Sequence, residues 1–144
     1  MRELHVEEIE KTIAALCMQA NRVLPAALEQ CIRCGEQKEQ SPAGKAVFQD
    51  LCANLDAARK NDLPICQDTG MAVIFMRVGQ DVHLTGGDLH DAVNRGVHSG
   101  YIGGYLRCSV VGDPLERVNT GDNTPAVLHL DIVPGDKVEI DVPM

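Results

Sequence analysis

Leu63-Pro64-Ile65-Cys66-Gln67-Asp68-Thr69-Gly70-Met71-Ala72-Val73-Ile74-Phe75-Met76-Arg77-Val78 is the stretch at which this chain changes character. Pro64 pushes the residue before it out of helical space, so a preceding helix should finish near Lys60-Asn61. Met71 to Val78 is a short apolar run rich in Val and Ile, the composition of a buried strand. Between them, Cys66 to Gly70 shows no helical period and is polar after the thiol. Helices therefore come first and strands enter afterwards, which makes the fold class α+β.

Upstream, Val6, Ile9, Ile13 and Leu16 recur at spacings of three and four, the stripe of an amphipathic helix. Pro25 suits the first turn of a second helix, running through Leu28, Cys31 and Ile32 to a stop at Gly35. Ser41-Pro42 reads as an N-cap with Pro at the first helical position, opening a third helix with Val47, Leu51 and Leu55 on one face. Downstream, Gly86-Gly87-Asp88 leads into another helical stripe at Leu89, Val93, Val97 and Tyr101, with Asp88 as its cap. Ala126 to Val133 and Lys137 to Val142 read as two strands joined by Pro134-Gly135-Asp136, a C-terminal hairpin. No repeat, low-complexity tract or linker divides the 144 residues, and one domain is expected over 1–144. The last strand-like run meets the end of the sequence at Met144 without a cap or tail, which a natural end and a truncation fit equally; the expected fold is α+β, as part of a larger one.

Composition narrows the function. A net charge of −8 argues against non-specific nucleic-acid binding, which needs a basic footprint. It leaves a small anionic ligand open, because a small site answers to its local Arg and Lys residues. No run of about 18 apolar residues would span a membrane, and the acidic start Met1 to Glu8 lacks the pattern of a signal peptide. A cytoplasmic location is the expectation. Aromatic residues make up only 3% of the chain, so the core must be aliphatic.

Six cysteines stand at 17, 31, 34, 52, 66 and 108. Cys17, Cys31 and Cys52 fall within helical apolar patterns, where Cys packs as a small hydrophobe. Cys31-Ile32-Arg33-Cys34 is a CxxC without a second CxxC to complete a zinc site. Cys66 is different, being on a turn before a strand, with Asp68 two residues on and Gly70 able to let the backbone approach a ligand. Taken alone, that turn can be a solvated bend with a packed thiol or an exposed ligand or nucleophile. A nucleophile would need a base, and nothing in the sequence places His83, His90, His98 or His129 beside it.

The segment from Asn94 to Asn123 carries a second signal. Gly96, Gly100, Gly103 and Gly104 each disfavour a helix interior by up to about 1 kcal/mol, which suggests tight helix packing or a close backbone approach. Arg107, near the helix end, can grip a carboxylate bidentately, or it can turn back on the helix's own carbonyls. Arg95, in mid-helix, suits a solvated or packing role.

Together, Leu63 to Gly70, Asn94 to Gly100, Gly104 to Arg107, Ser109-Val110-Val111 with Asp113-Pro114-Leu115, and Asn119 to Pro125 resemble the iron–sulfur (class I) fumarate hydratase and L(+)-tartrate dehydratase family. The resemblance covers most of the chain from about residue 60 and is to the N-terminal part of the α subunit. It implies a hydro-lyase acting on a four-carbon hydroxy-dicarboxylate. It also implies a [4Fe-4S] cluster held by three cysteines, whose open iron acts as a Lewis acid during reversible loss of water. The first cluster ligand falls on Cys66. Gln67 and Asp68 fall against the substrate, with Asp68 as proton donor to the departing hydroxyl, and Arg107 becomes a carboxylate clamp. Two further cluster cysteines, the rest of the α chain and a β subunit or C-terminal domain are implied as partners in a homo- or hetero-oligomer. Cys108 maps onto neither missing ligand. The alternative is a non-catalytic remnant or binding module of the same fold without a cluster.

Overall fold

The computed structural model describes residues 1–143, and Met144 lies outside them. Strand β1 (Arg2–His5) leads directly into helix α1 (Val6–Arg22); α2 (Ala26–Lys38) and α3 (Pro42–Asn61) follow. The second half holds β2 (Val73–Gly79), β3 (Val82–Thr85), α4 (Leu89–Gly103), β4 (Val127–Val133) and β5 (Val138–Asp141). This is the expected α+β arrangement, helical first, and it is consistent with part of a larger fold.

Local chemistry explains the helix starts. Ser41 Oγ accepts the Gly44 amide with Pro42 at N1, and Asp88 accepts the Asp91 amide, so each cap satisfies an amide that the helix cannot. On α1, Val6, Ile9, Ile13 and Cys17 form the buried stripe. Leu16 is only half-buried. Helix α2 runs through Gly35 to Lys38, past the expected stop. Gly35 is there because α3 lies so close that a Cβ would stand 2.7 Å from the Phe48 ring. Of the expected face of α3, Leu55 is buried, together with Cys52 and Ala58, whereas Val47 and Leu51 are exposed.

The principal sheet has the order β4-β2-β5, with β2 parallel to β4 and antiparallel to β5. The expected hairpin is therefore corrected: the strands and the turn at 134–136 are present, but β4 and β5 do not pair with each other. β2 lies between them, taking hydrogen bonds on both sides, and its Ile74, Met76 and Val78 are the sheet's buried centre. β1 and β3 form a separate two-stranded parallel ladder that periodicity did not announce. At β4, Leu130 and Ile132 share the register of Met76 and Val78 yet remain 42% and 66% exposed, an apolar edge left uncovered by the described residues.

The core joins Ile9, Ile13 and Cys17 of α1 to Val93, Val97 and Tyr101 of α4 and to the inner face of β2. The α1–α4 contact is backbone-close. A Cβ on Gly96 would meet Glu10 O at 2.7 Å, and one on Gly100 would meet Ala14 O at 2.9 Å and Cys17 Cβ at 3.0 Å. Gly104 approaches Met18, whereas Gly103 faces open space.

Gly100→Ala should therefore destabilise the chain. Overpacking of about 1–3 kcal/mol outweighs a helix-propensity gain of at most about 1 kcal/mol. A urea unfolding midpoint equal to or above that of the unaltered protein would refute the close contact.

Candidate functional site

The turn from Leu63 to Gly70 is held from several sides. Asp62 ends α3 in the left-handed conformation, φ 53°. Arg22, from the last turn of α1, donates to Asp62 Oδ1 at 2.9 Å and to Gly104 O at 3.1 Å. The Ile65 amide donates to Asn21 O at 2.9 Å, and Ile65 O accepts Asn54 Nδ2 at 2.8 Å. Further on, Thr69 Oγ1 donates to Arg107 O at 2.9 Å, and the Tyr101 hydroxyl donates to Thr69 O at 2.8 Å. Gly70 sits at φ 62° with nothing near a would-be Cβ. That conformation favours glycine, and the space beside it is open.

Within this frame Cys66, Gln67 and Arg107 come together. With Leu63, Pro64, Thr69 and Tyr105 they line a cavity of about 510 Å³. All three are exposed. Among the described residues, the Cys66 thiol is committed only to a long 3.7 Å contact with Asp68 O. Asp68 lies on the same turn, exposed, with its side chain outside the cavity wall.

Arg107 does not fold back on the helix. The final carbonyls of α4 are taken by the Gly104, Tyr105 and Leu106 amides, and Arg22 takes Gly104 O. Among the described residues, no side chain engages the Arg107 guanidinium. It stands on the segment after α4, available to an anion at the cavity. Arg95, by contrast, is paired with Glu10 at 2.7 Å, in keeping with a packing role.

Of the other cysteines, Cys17 is fully buried, and burial pushes its thiol up to about 11. Cys52 is buried too, but Cys31 is exposed rather than packed. Cys108 is raised by burial and does not reach the cavity. None of the four histidines weighed as bases lines the cavity; His98 faces Asp122 at 3.2 Å, and His129 stacks on Phe75. No three His, Cys, Asp or Glu side chains converge on a metal position among the described residues. As a donor set, the turn thus offers one exposed thiol, which suits one corner of a metal group shared with ligands from elsewhere and is too little to hold it alone.

The sequence model for "Fumarate hydratase (Fumerase)" matches residues 10–144. The chain belongs to this family. It is 41% identical over 115 residues to the aerobic class I fumarate hydratase of Escherichia coli K12, a match covering 78% of this chain and 21% of that protein. It is 36% identical over 114 residues to fumarate hydratase 2 of Leishmania major, covering 78% and 20%. Against the L(+)-tartrate dehydratase subunit alpha of Escherichia coli O157:H7 it is 29% identical over 143 residues, covering 96% of this chain and 46% of that subunit. The chain thus spans about a fifth of the fumarate hydratases and under half of the tartrate dehydratase subunit that it matches. No helix of the described residues is long and apolar enough to cross a membrane.

Sequence reasoning did not single out the residues that shape the site of this family member: Asn21, Arg22, Asn54, Thr69, Tyr101 and Asn123. Most are neutral polar groups acting on distant backbone; Thr69 and Asn123 lay inside the Leu63–Gly70 and Asn119–Pro125 blocks without a role of their own, and Tyr101 was read only as part of the α4 stripe.

Tyr101 provides a pH test. Burial raises its phenol to about 12 from the usual 10. A raised folded value keeps this contribution intact below the unfolded value, and it is lost as pH rises from about 10 through about 12. Urea midpoints followed over that range should fall in the unaltered protein and fall less in Tyr101→Phe. Equal slopes would show that the hydroxyl is not protected by the fold.

Proposed function

We propose that this chain is the N-terminal portion of the α-type catalytic domain of a cytoplasmic iron–sulfur hydro-lyase. Its substrate would be a four-carbon hydroxy-dicarboxylate, either malate/fumarate or tartrate/oxaloacetate. The observation that carries the reading is the uncommitted Arg107 guanidinium sharing one cavity with the exposed Cys66 thiol and Gln67. A hydro-lyase for such a substrate must grip a carboxylate, hold the hydroxyl that leaves, and deliver a proton to it.

Each residue suits one of those tasks. Arg107 presents a planar fork to a carboxylate, with no partner to displace among the described residues. Gln67 adds a neutral donor and acceptor to orient the substrate. Asp68, in its protonated form, passes its proton to the departing hydroxyl, which leaves as water; the base that takes the proton from carbon is supplied outside this chain. Cys66, as thiolate, would hold one corner of a [4Fe-4S] cluster whose open iron supplies Lewis-acid polarisation of the hydroxyl. The remaining two cysteines would come from further α-chain sequence, and further substrate contacts from a β subunit or C-terminal domain in an oligomer. The uncovered apolar edge at Leu130 and Ile132 supports such continuation.

In the assembled enzyme the three side chains should fail in different ways. Cys66→Ser should lower iron content and abolish activity, since a hydroxyl is a poor cluster ligand beside thiolate. Asp68→Asn should keep the iron and lose about 10²–10⁴-fold in kcat. Arg107→Lys should chiefly raise KM, as a fork becomes a point charge. Full iron and activity in Cys66→Ser would remove the centre of the reading.

The isolated 144-residue chain should show no dehydratase activity after anaerobic cluster reconstitution, because one thiolate cannot retain the cluster. Fumarate hydration by the chain alone would contradict its being a portion of the catalytic unit. An assembled enzyme that never binds iron would instead favour the cluster-free remnant.

A further inference from the structure

We infer that Asn123, backed by Tyr101, is the positioning residue of this site, setting the Cys66 turn against the Arg107 segment. The inference rests on the hydro-lyase reading and adds to it a side chain outside the cavity lining. Asn123 is fully buried. Its Oδ1 accepts the Ser109 amide at 2.7 Å and the Val110 amide at 3.0 Å, and its Nδ2 donates to Gly70 O at 3.0 Å. One planar amide therefore spans the two halves of the site: Ser109 follows Arg107 by two residues, and Gly70 follows Asp68 by two.

The residue type is demanding. Asp could accept both amides but, ionised, would face the Gly70 carbonyl with another acceptor. A hydrophobe would take the acceptor from the Ser109 and Val110 amides and leave Gly70 O with only the longer Tyr101 contact. Asn123 also sits at φ 64°, a left-handed conformation that Asn tolerates better than most side chains. The Tyr101 hydroxyl lies 2.8 Å from Thr69 O and 3.3 Å from Gly70 O, so it steadies the same stretch from behind. Thr69 Oγ1 to Arg107 O is a further crossing between the two segments. In such a buried and satisfied network, removing one member lets both backbones drift relative to each other.

The consequence is kinetic. A clamp and a proton donor mounted on different segments act together only at one separation, and a misplacement of about 1 Å can cost about 10²-fold in rate. In the assembled enzyme, Asn123→Ala should lower kcat/KM about 10- to 100-fold, through both a higher KM and a lower kcat, while retaining most of its iron. Tyr101→Phe should shift the same two constants in the same direction by less. Ile13→Val, a core truncation on α1, is the control: it should lower the thermal midpoint and leave kcat and KM per folded molecule unchanged.

Fumarate, L-malate and L(+)-tartrate serve as substrates, and iron is measured on each preparation. If Asn123→Ala loses thermal stability but keeps the kcat and KM of the unaltered enzyme, as the control does, the positioning role is overturned. If Asn123→Ala does not fold, Tyr101→Phe decides: unchanged constants overturn the inference and shifted ones support it. Iron retained in Cys66→Ser would sink the cluster assignment alone, and the Asn123 constants would still judge this inference. An unaltered assembly inactive on all three substrates would overturn both.

Discussion

The contact between α1 and α4 is the constraint from which the rest of the molecule follows. Gly96 and Gly100, one turn apart, put no side chain of α4 toward α1 at those positions, and Gly104 continues the same face against Met18. The α4 backbone therefore rests on Glu10 and Ala14 of α1. Backbone-close packing of this kind fixes axial register as well as distance, because the ridges of one helix enter notches in the other. Fixing that register brings the C-terminal end of α1, with Asn21 and Arg22, alongside the end of α4. The two ends together make the platform on which the Leu63–Gly70 turn is mounted.

That platform divides the work of two arginines. Arg22 is mostly buried and satisfies the end of α4 and the C-cap of α3. A cation there is favourable because the last carbonyls of a helix carry partial negative charge. Arg107, four residues past the end of α4, is relieved of this role and keeps its guanidinium for the cavity. The site's charge is thus kept at the surface, where it can meet a ligand. Beside the mostly buried Arg22, the interior around it is tied by neutral amides and a phenol. Asn54, Asn123, Thr69 and Tyr101 all act on backbone groups of the turn or of the segment opposite.

Much of this was legible in the residues themselves. Ser41-Pro42 and Asp88 announce helix starts because capping is chemistry between near neighbours. The apolar alternation of β2 and the stripes of α1 and α4 appear as periodicity. Cys66, Gln67 and Arg107 were grouped on motif and resemblance, and one cavity wall now holds them. Glycines at 96 and 100 signalled a close contact, though not with which element. Gly35 misled for the converse reason: the same residue that ends many helices is here inside one, and Phe48, from another helix, is the cause.

The remaining features depend on partners far away along the chain. β4 and β5 follow one another across a good turn, and local chemistry favours pairing them. The burial of Ile74, Met76 and Val78 requires a strand on both sides of β2, so β2 lies between them. Asn123 shows no stripe, charge or cap, and its amide matters because Gly70, 53 residues earlier, lies within reach. Local rules record what a residue does to its neighbours within a turn or two. Which strand fills a gap, and which amide bridges two loops, is set by close packing of the whole chain, where each buried polar group must find its partner wherever the fold has brought one.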